Sequence, residues 1–176
     1  MSTPTFAMPN PNMVVNTVDD ADEVLGTIVR KAVLPTGHNF RVAHLLLTNT
    51  RGDVLLQQLA MSRERHPGAW GASVACYLFA GESYEEAIQR RVVQELGCVP
   101  SEIRFLLKTR MIDEDSTKFV GVFAGRAEGP FVIDTAHIAR VEFFSPSQIA
   151  AELMSGGRIF TPTFRHIYGE TSRLQE

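Results

Sequence analysis

The segment from Ser83 to Gly97 constrains this chain more than any other. Ser83 and Glu86 have the S-x-x-E spacing of a capping box, in which each side chain satisfies an otherwise orphaned backbone N–H. Ala87, Ile88, Val92 and Leu96 follow at helical intervals, and Gly97 stands where a C-cap ends a helix. The pattern predicts one amphipathic helix here.

Strand signals surround it. Met13–Val15 and Val24–Val29 flank the turn-rich Asp19–Asp22 and predict a first hairpin. Arg41–Thr48 and Val54–Leu59, separated by Asn49-Thr50-Arg51-Gly52-Asp53, predict a second. Met61–Gly68 is polar and basic, and is expected as a loop; Ala72–Phe79 returns to a strand pattern. Further strands are expected at Ile103–Leu107, Phe119–Ala124 and Val141–Phe144. Ser145-Pro146-Ser147-Gln148 is a second capping box with proline at the first helical position, stopping before Gly156-Gly157, and Thr161-Pro162 opens a last short helix. Residues 1–12, rich in proline and asparagine, read as a flexible arm, and 13–176 as a single domain. Strands broken by a central and a late helix imply an α/β fold, a mixed β-sheet sandwiched between helices.

Composition narrows the class of partner. A net charge of −3 gives no global field for DNA or an anionic membrane. The longest strongly apolar stretch, around Leu45–Leu47, is far too short to span a bilayer, and the N-terminus lacks the pattern of a signal peptide. Cys76 and Cys98 show no metal or redox spacing, as expected of buried thiols in a reducing cytoplasm. The sequence therefore reads as cytoplasmic, and leaves a homo-oligomer open.

The chemistry lies in GAWGASVACYLFAGESYEEAIQRRVVQELGC. This segment resembles the Nudix box, G-x5-E-x7-R-E-U-x-E-E-x-G-U with U a bulky aliphatic residue. Anchored on Gly97, the match keeps Glu82, Arg90, Val92, Glu95 and Gly97, and departs at Cys76, Arg91 and Gln94. Positions 91, 94 and 95 share one helix face. Three carboxylates there would hold Mg²⁺, which bridges a diphosphate and makes hydroxide from water. Here the face carries Arg91, Gln94 and Glu95, so two anionic ligands are gone.

The neighbouring Pro67-Gly68-Ala69-Trp70, Gly81-Glu82-Ser83 and Arg90-Arg91 resemble type I isopentenyl-diphosphate isomerases and the Nudix hydrolases grouped with them, over roughly residues 13–168. In the isomerases the single retained glutamate binds Mg²⁺ with the substrate diphosphate, a role that falls on Glu95. Their other reacting groups are replaced. The cysteine position holds Ala75, with Cys76 displaced by one residue and so turned to the opposite face of a strand. The histidines fall on Tyr77 and Phe40, the later glutamates on Ser116 and Lys118, and the diphosphate-gripping arginine on Leu59. Isomerisation is not expected.

The resemblance implies catalytic roles for Glu82, Arg90 and Glu95, with Mg²⁺ or Mn²⁺ held weakly by Glu95 and Glu82. Each residue has a plainer alternative. Glu95 is in position for an i,i+4 surface pair with Arg91, and Glu82 with Arg90 for bracing the loop against the helix. Arg91 is either solvated or a fixed positive charge where the family has a metal, attracting phosphate directly. His137 stands where relatives have a ligand or base, or is a surface loop histidine. Arg63, with Arg65 and His66 near Trp70, steers phosphate or is solvated surface, and Asp113-Glu114-Asp115 is a turn or a replacement ligand cluster. Arg63, Trp70, Arg91 and His137 are the expected substrate-binding residues. The expected function is an atypical or weakened hydrolase of a diphosphate linkage in a small molecule such as a nucleoside diphosphate derivative. The alternative is a catalytically inactive domain that binds a phosphate-bearing ligand or a protein or RNA partner.

Overall fold

The computed structural model describes residues 12–174, so the expected arm at 1–12 lies, but for Asn12, outside the described residues. The strand signals resolve into β1 (Val14–Val18), β2 (Val24–Val29), β3 (Phe40–Thr48), β4 (Val54–Leu59), β5 (Trp70–Gly71), β6 (Val74–Tyr77), β7 (Ile103–Asp113), β8 (Ser116–Arg126) and β9 (Ile138–Phe144). The helices are α1 (Tyr84–Leu96), α2 (Pro146–Ser155) and α3 (Pro162–Arg173). Strands β1 and β2 form a separate antiparallel hairpin. The other strands make a mixed sheet ordered β5-β4-β3-β8-β7, with β6 also on β3, β9 also on β4, and β3 parallel to β8.

The alternation of side chains along β3 sorts the core onto two faces. Ala43, Leu45 and Leu47 pack with Ala87, Ile88, Val92 and Leu96 of α1. Phe40, Val42 and Leu46 pack with Ile149 of α2 and with Phe164 and Ile167 of α3. The sheet is thus covered on both sides. Both capping boxes form, and Gly97 ends α1 in the left-handed conformation at φ 61°. Gly121 lets α1 approach β8: a Cβ there would sit 2.5 Å from Cδ1 of Tyr84.

Several elements run longer than expected, among them β7, β8, α3 and β9, which starts at Ile138 rather than Val141. Strand β7 continues to Asp113 because it pairs with β8 from Ile103 to Asp113, with one irregularity at Leu106, although exposed charged residues such as Arg110 interrupt its apolar pattern. Strand β8 likewise extends to Ser116 and Arg126. Helix α3 forms where expected and runs to 12 residues, because Phe164, Ile167 and Thr171 keep one buried stripe.

The expected second hairpin is open, and this creates the site. Strands β3 and β4 pair only at Leu47↔Leu55 and Thr48↔Val54 before they part. Ser73 fills the fork: its hydroxyl accepts from the Leu47 N–H at 2.8 Å and donates to the Leu55 carbonyl at 2.5 Å. Beyond it β6 takes over the edge of β3, pairing Val42–Leu45 with Val74–Tyr77. Side chains of β4 near the fork, Gln57 among them, reach under α1.

Candidate functional site

Glu82 and Arg90 form a brace. The Glu82 carboxylate accepts from the Phe79 N–H at 2.7 Å, and from Arg90 Nε at 2.7 Å and Nη2 at 2.9 Å. Arg90 also donates to the Tyr77 carbonyl at 3.3 Å, and its guanidinium lies 3.8 Å from the Phe79 ring centroid. Loop, strand β6 and helix α1 are held together through one side chain. Both Glu82 oxygens are consumed by this, which leaves little for the expected metal.

Glu95 is buried rather than surface-exposed, at 4 % exposure, and so is Arg91 at 7 %. Its Oε1 accepts from Arg91 Nε at 2.9 Å and is ion-paired with the same guanidinium, 2.8 Å from Nη2. Its Oε2 accepts from Gln57 Nε2 at 3.2 Å, and Gln57 is held by the same amide on the Ser73 carbonyl. Burial pushes Glu95 above the usual carboxylate range, against the charges of Arg91 and Arg63. Gln94 turns its carbonyl oxygen to Arg90 and Arg91, at 3.3 and 3.4 Å.

The loop residues join from two directions. Arg63 is half-buried and feels the charges of Glu95, Arg91, Arg30 and Asp134, with burial lowering its affinity for its proton. His137 Nδ1 lies 2.6 Å from Asp134 Oδ2. Asp134 sits at the C-terminal end of α1, its N–H donating to the Glu95 carbonyl at 3.0 Å. Arg63, Arg91, Glu95 and the His137–Asp134 pair are therefore neighbours. Trp70, expected to bind substrate, is instead a core residue at 3 % exposure, edge-on to Phe144 and with Arg140 and Arg158 each 5.0 Å from its ring. Asp113 is no solvated turn residue: Arg65 and Lys118 bind it, on the sheet face opposite α1. Cys76, at the motif's glycine position, is packed against the Ala87 carbonyl, and burial pushes its thiol up to about 12.

This donor set does not fit a resident Mg²⁺. The ion favours anionic oxygen, and the helix face offers one carboxylate whose two oxygens already hold Arg91 and Gln57. Among the described residues, no three of His, Cys, Asp or Glu gather in a way that could hold a metal. Gln57, Ser73 and Asp134, which complete the site, are missing from the sequence-derived set because no local pattern marks them.

Fold, brace and helix face together define a Nudix domain, and a NUDIX domain family model matches residues 38–164: the chain belongs to that family, which acts on small molecules containing a diphosphate. An uncharacterised Nudix hydrolase of Pseudomonas aeruginosa is 25 % identical over 138 residues, 78 % of this chain and 82 % of the relative. An isopentenyl-diphosphate Δ-isomerase of Streptomyces coelicolor is 26 % identical over 160 residues, 84 % of this chain and 81 % of the relative. A crystal structure from Deinococcus radiodurans matches with a TM-score of 0.77 at 23 % identity, covering 88 % of this chain and 97 % of that one, and shows the shared fold. Among the described residues, no helix is long and apolar enough to cross a membrane.

Proposed function

We propose that this Nudix domain engages the diphosphate of a small molecule, such as a nucleoside diphosphate derivative, with fixed guanidinium groups in place of the family's resident metal. Binding is retained and hydrolysis is slow. The observation that carries the reading is the enclosure of Glu95 by Arg91 and Gln57. A guanidinium presents a planar fork of donors that matches phosphate oxygens; Arg63 supplies one such fork, and Arg91 adds the Nη hydrogens not spent on Glu95 and Gln94. Glu82 and Arg90 serve this site by fixing the loop against α1.

Retention of Glu95 itself favours a second reading, residual hydrolysis with Mg²⁺ brought in on the substrate. Titration with a panel of nucleotide and prenyl diphosphates, with Mg²⁺ and with chelator, separates the two. Our reading expects ligand-induced stabilisation that survives chelator. Chelator-sensitive turnover on the order of 1 s⁻¹ or faster contradicts it.

We propose further that the domain does not isomerise isopentenyl diphosphate. Phe40 and Tyr77 are stacked at 5.2 Å and Lys118 is tied to Asp113 and Thr163, where the isomerases need acid–base and metal groups. Incubation with isopentenyl diphosphate and Mg²⁺ is expected to give no dimethylallyl product; measurable interconversion overturns this.

A further inference from the structure

The sheet face opposite α1 carries polar groups that packing alone does not explain. Lys118 is buried in β8 and donates to Asp113 Oδ2 at 2.9 Å and to Thr163 Oγ1 at 2.7 Å. Two of its three ammonium donors are thereby accounted for among the described residues. Arg65 closes on the same carboxylate from the basic loop, at 2.6 and 3.1 Å.

Around this cluster His44 Nδ1, Ser116 Oγ and Arg30 Nε are buried and, among the described residues, have no hydrogen-bond partner. His44 is 7 % exposed and Ser116 0 %. An unsatisfied buried polar group costs on the order of 1–3 kcal/mol, and folded proteins keep few of them. The three belong to one place. His44 feels the charge of Lys118. Ser116 faces Asp113 across the β7–β8 turn and shares the Lys118 side of its strand. Arg30 lies 5.3 Å from the centroid of the Tyr77 ring, and Tyr77 in turn feels Arg65 and Asp113.

The sign of the cluster names its occupant. Arg30, Arg65 and Lys118 stand against Asp113 inside and the exposed Glu114 at the turn. Asp113 is shared by Arg65 and Lys118, and among the described residues Arg30 has no ion-pair partner, so its charge is left for a ligand. Buried donors with surplus positive charge bind oxyanions.

We propose that Arg30, Arg65 and Lys118 form a second anion site that takes a phosphate or carboxylate group. The link to the first site rests on the reading of the α1 face given above. Arg65 binds Asp113 in this cluster, and Arg63, two residues away on the same loop, feels Glu95 and Arg91 of the other, so one loop serves both clusters. The group held here is then a further anion on the diphosphate ligand itself, which makes the ligand a diphosphate with an additional phosphate or carboxylate at its far end.

Calorimetric titration of the full chain with inorganic phosphate, with ADP, and with ADP bearing one further phosphate monoester on its ribose tests this. The wild type is expected to bind phosphate and to prefer the extra-phosphate nucleotide by about tenfold, the scale of one charge-assisted contact. Arg30→Gln and Lys118→Met are each expected to weaken phosphate binding and bring that ratio close to one. Arg30→Gln removes no ion pair among the described residues, which keeps the test decisive should Lys118→Met fail to fold. If the extra phosphate adds nothing but Arg30→Gln still weakens inorganic phosphate, the site stands and serves a separate anion. If no nucleotide binds while phosphate binding responds to these variants, the α1-face reading fails and the second site stands. Absence of phosphate binding in the wild type, or phosphate binding indifferent to both variants, overturns the second site.

Discussion

Two buried carboxylates, one on each face of the sheet, are treated in opposite ways. Glu95 under α1 has one guanidinium and one amide as partners, and burial outweighs them, so its carboxyl sits above its ordinary value. Burial acts on Asp113 in the same direction. Hydrogen bonds from Arg65 and Lys118, with their two charges, overcome it and hold the group down at about 2. What separates the two is direct hydrogen bonding by cations: Asp113 takes it from two, Glu95 from Arg91 alone with Arg63 acting only at a distance. Asp113 is a charge that orients Arg65 and Lys118, whereas both Glu95 oxygens are taken up by Arg91 and Gln57.

The comparison breaks first at Arg91. Replacing it by Leu leaves Glu95 enclosed without its charge partner, which costs about 3–5 kcal/mol. Urea unfolding at neutral pH measures the loss, and the deficit is expected to shrink as pH falls, because burial raises the Glu95 carboxyl and its protonated form needs no cation. An equal deficit at lower pH would mean that Arg91 acts by packing alone.

Asp113 gives the next largest effect, with the opposite dependence on pH. Its folded-state pKa is depressed below the unfolded value of 3.8, so its contribution is present above that value and disappears as pH falls toward about 2. That contribution is roughly 2 kcal/mol. Acid titration of stability should show it in the wild type, and Asp113→Asn should flatten that part of the curve. Glu95 has a raised pKa and cannot account for a loss in this window.

Smaller effects sharpen the separation of bracing from binding. Glu82→Ala removes hydrogen bonds to Arg90 and to the Phe79 N–H, and is expected to cost about 1–2 kcal/mol in thermal or urea unfolding. Ser83→Ala removes the cap of α1 and is expected to cost about 1 kcal/mol.

What was legible in the sequence was what local spacing encodes. Ser83 with Glu86, Gly97, and Ser145 with Gln148 placed two helices and their ends, because caps act within one turn. The retained Glu82, Arg90 and Glu95 located the helix that organises the site. Burial was not legible: an i,i+4 Arg91–Glu95 pair reads the same in water and in a core, and only the enclosing β4 tells them apart. Gln57 reaches Glu95 from 38 residues away, and Arg65 reaches Asp113 from 48, so neither partner has a local signature. Trp70 was drawn to the site by its basic loop, yet its backbone enters β5 and carries the ring into the core.

The central claim is that guanidinium groups hold the place of the metal on the α1 face. Calorimetric Mg²⁺ titration without ligand, on the wild type and on the Arg91→Glu/Gln94→Glu variant, tests it most directly. The account predicts no saturable Mg²⁺ binding by the wild type. In the variant, three carboxylates on one helix face should bind the ion and raise the melting temperature as Mg²⁺ is added. Tight, saturable Mg²⁺ binding by the wild type that is lost on Glu95→Gln would contradict it.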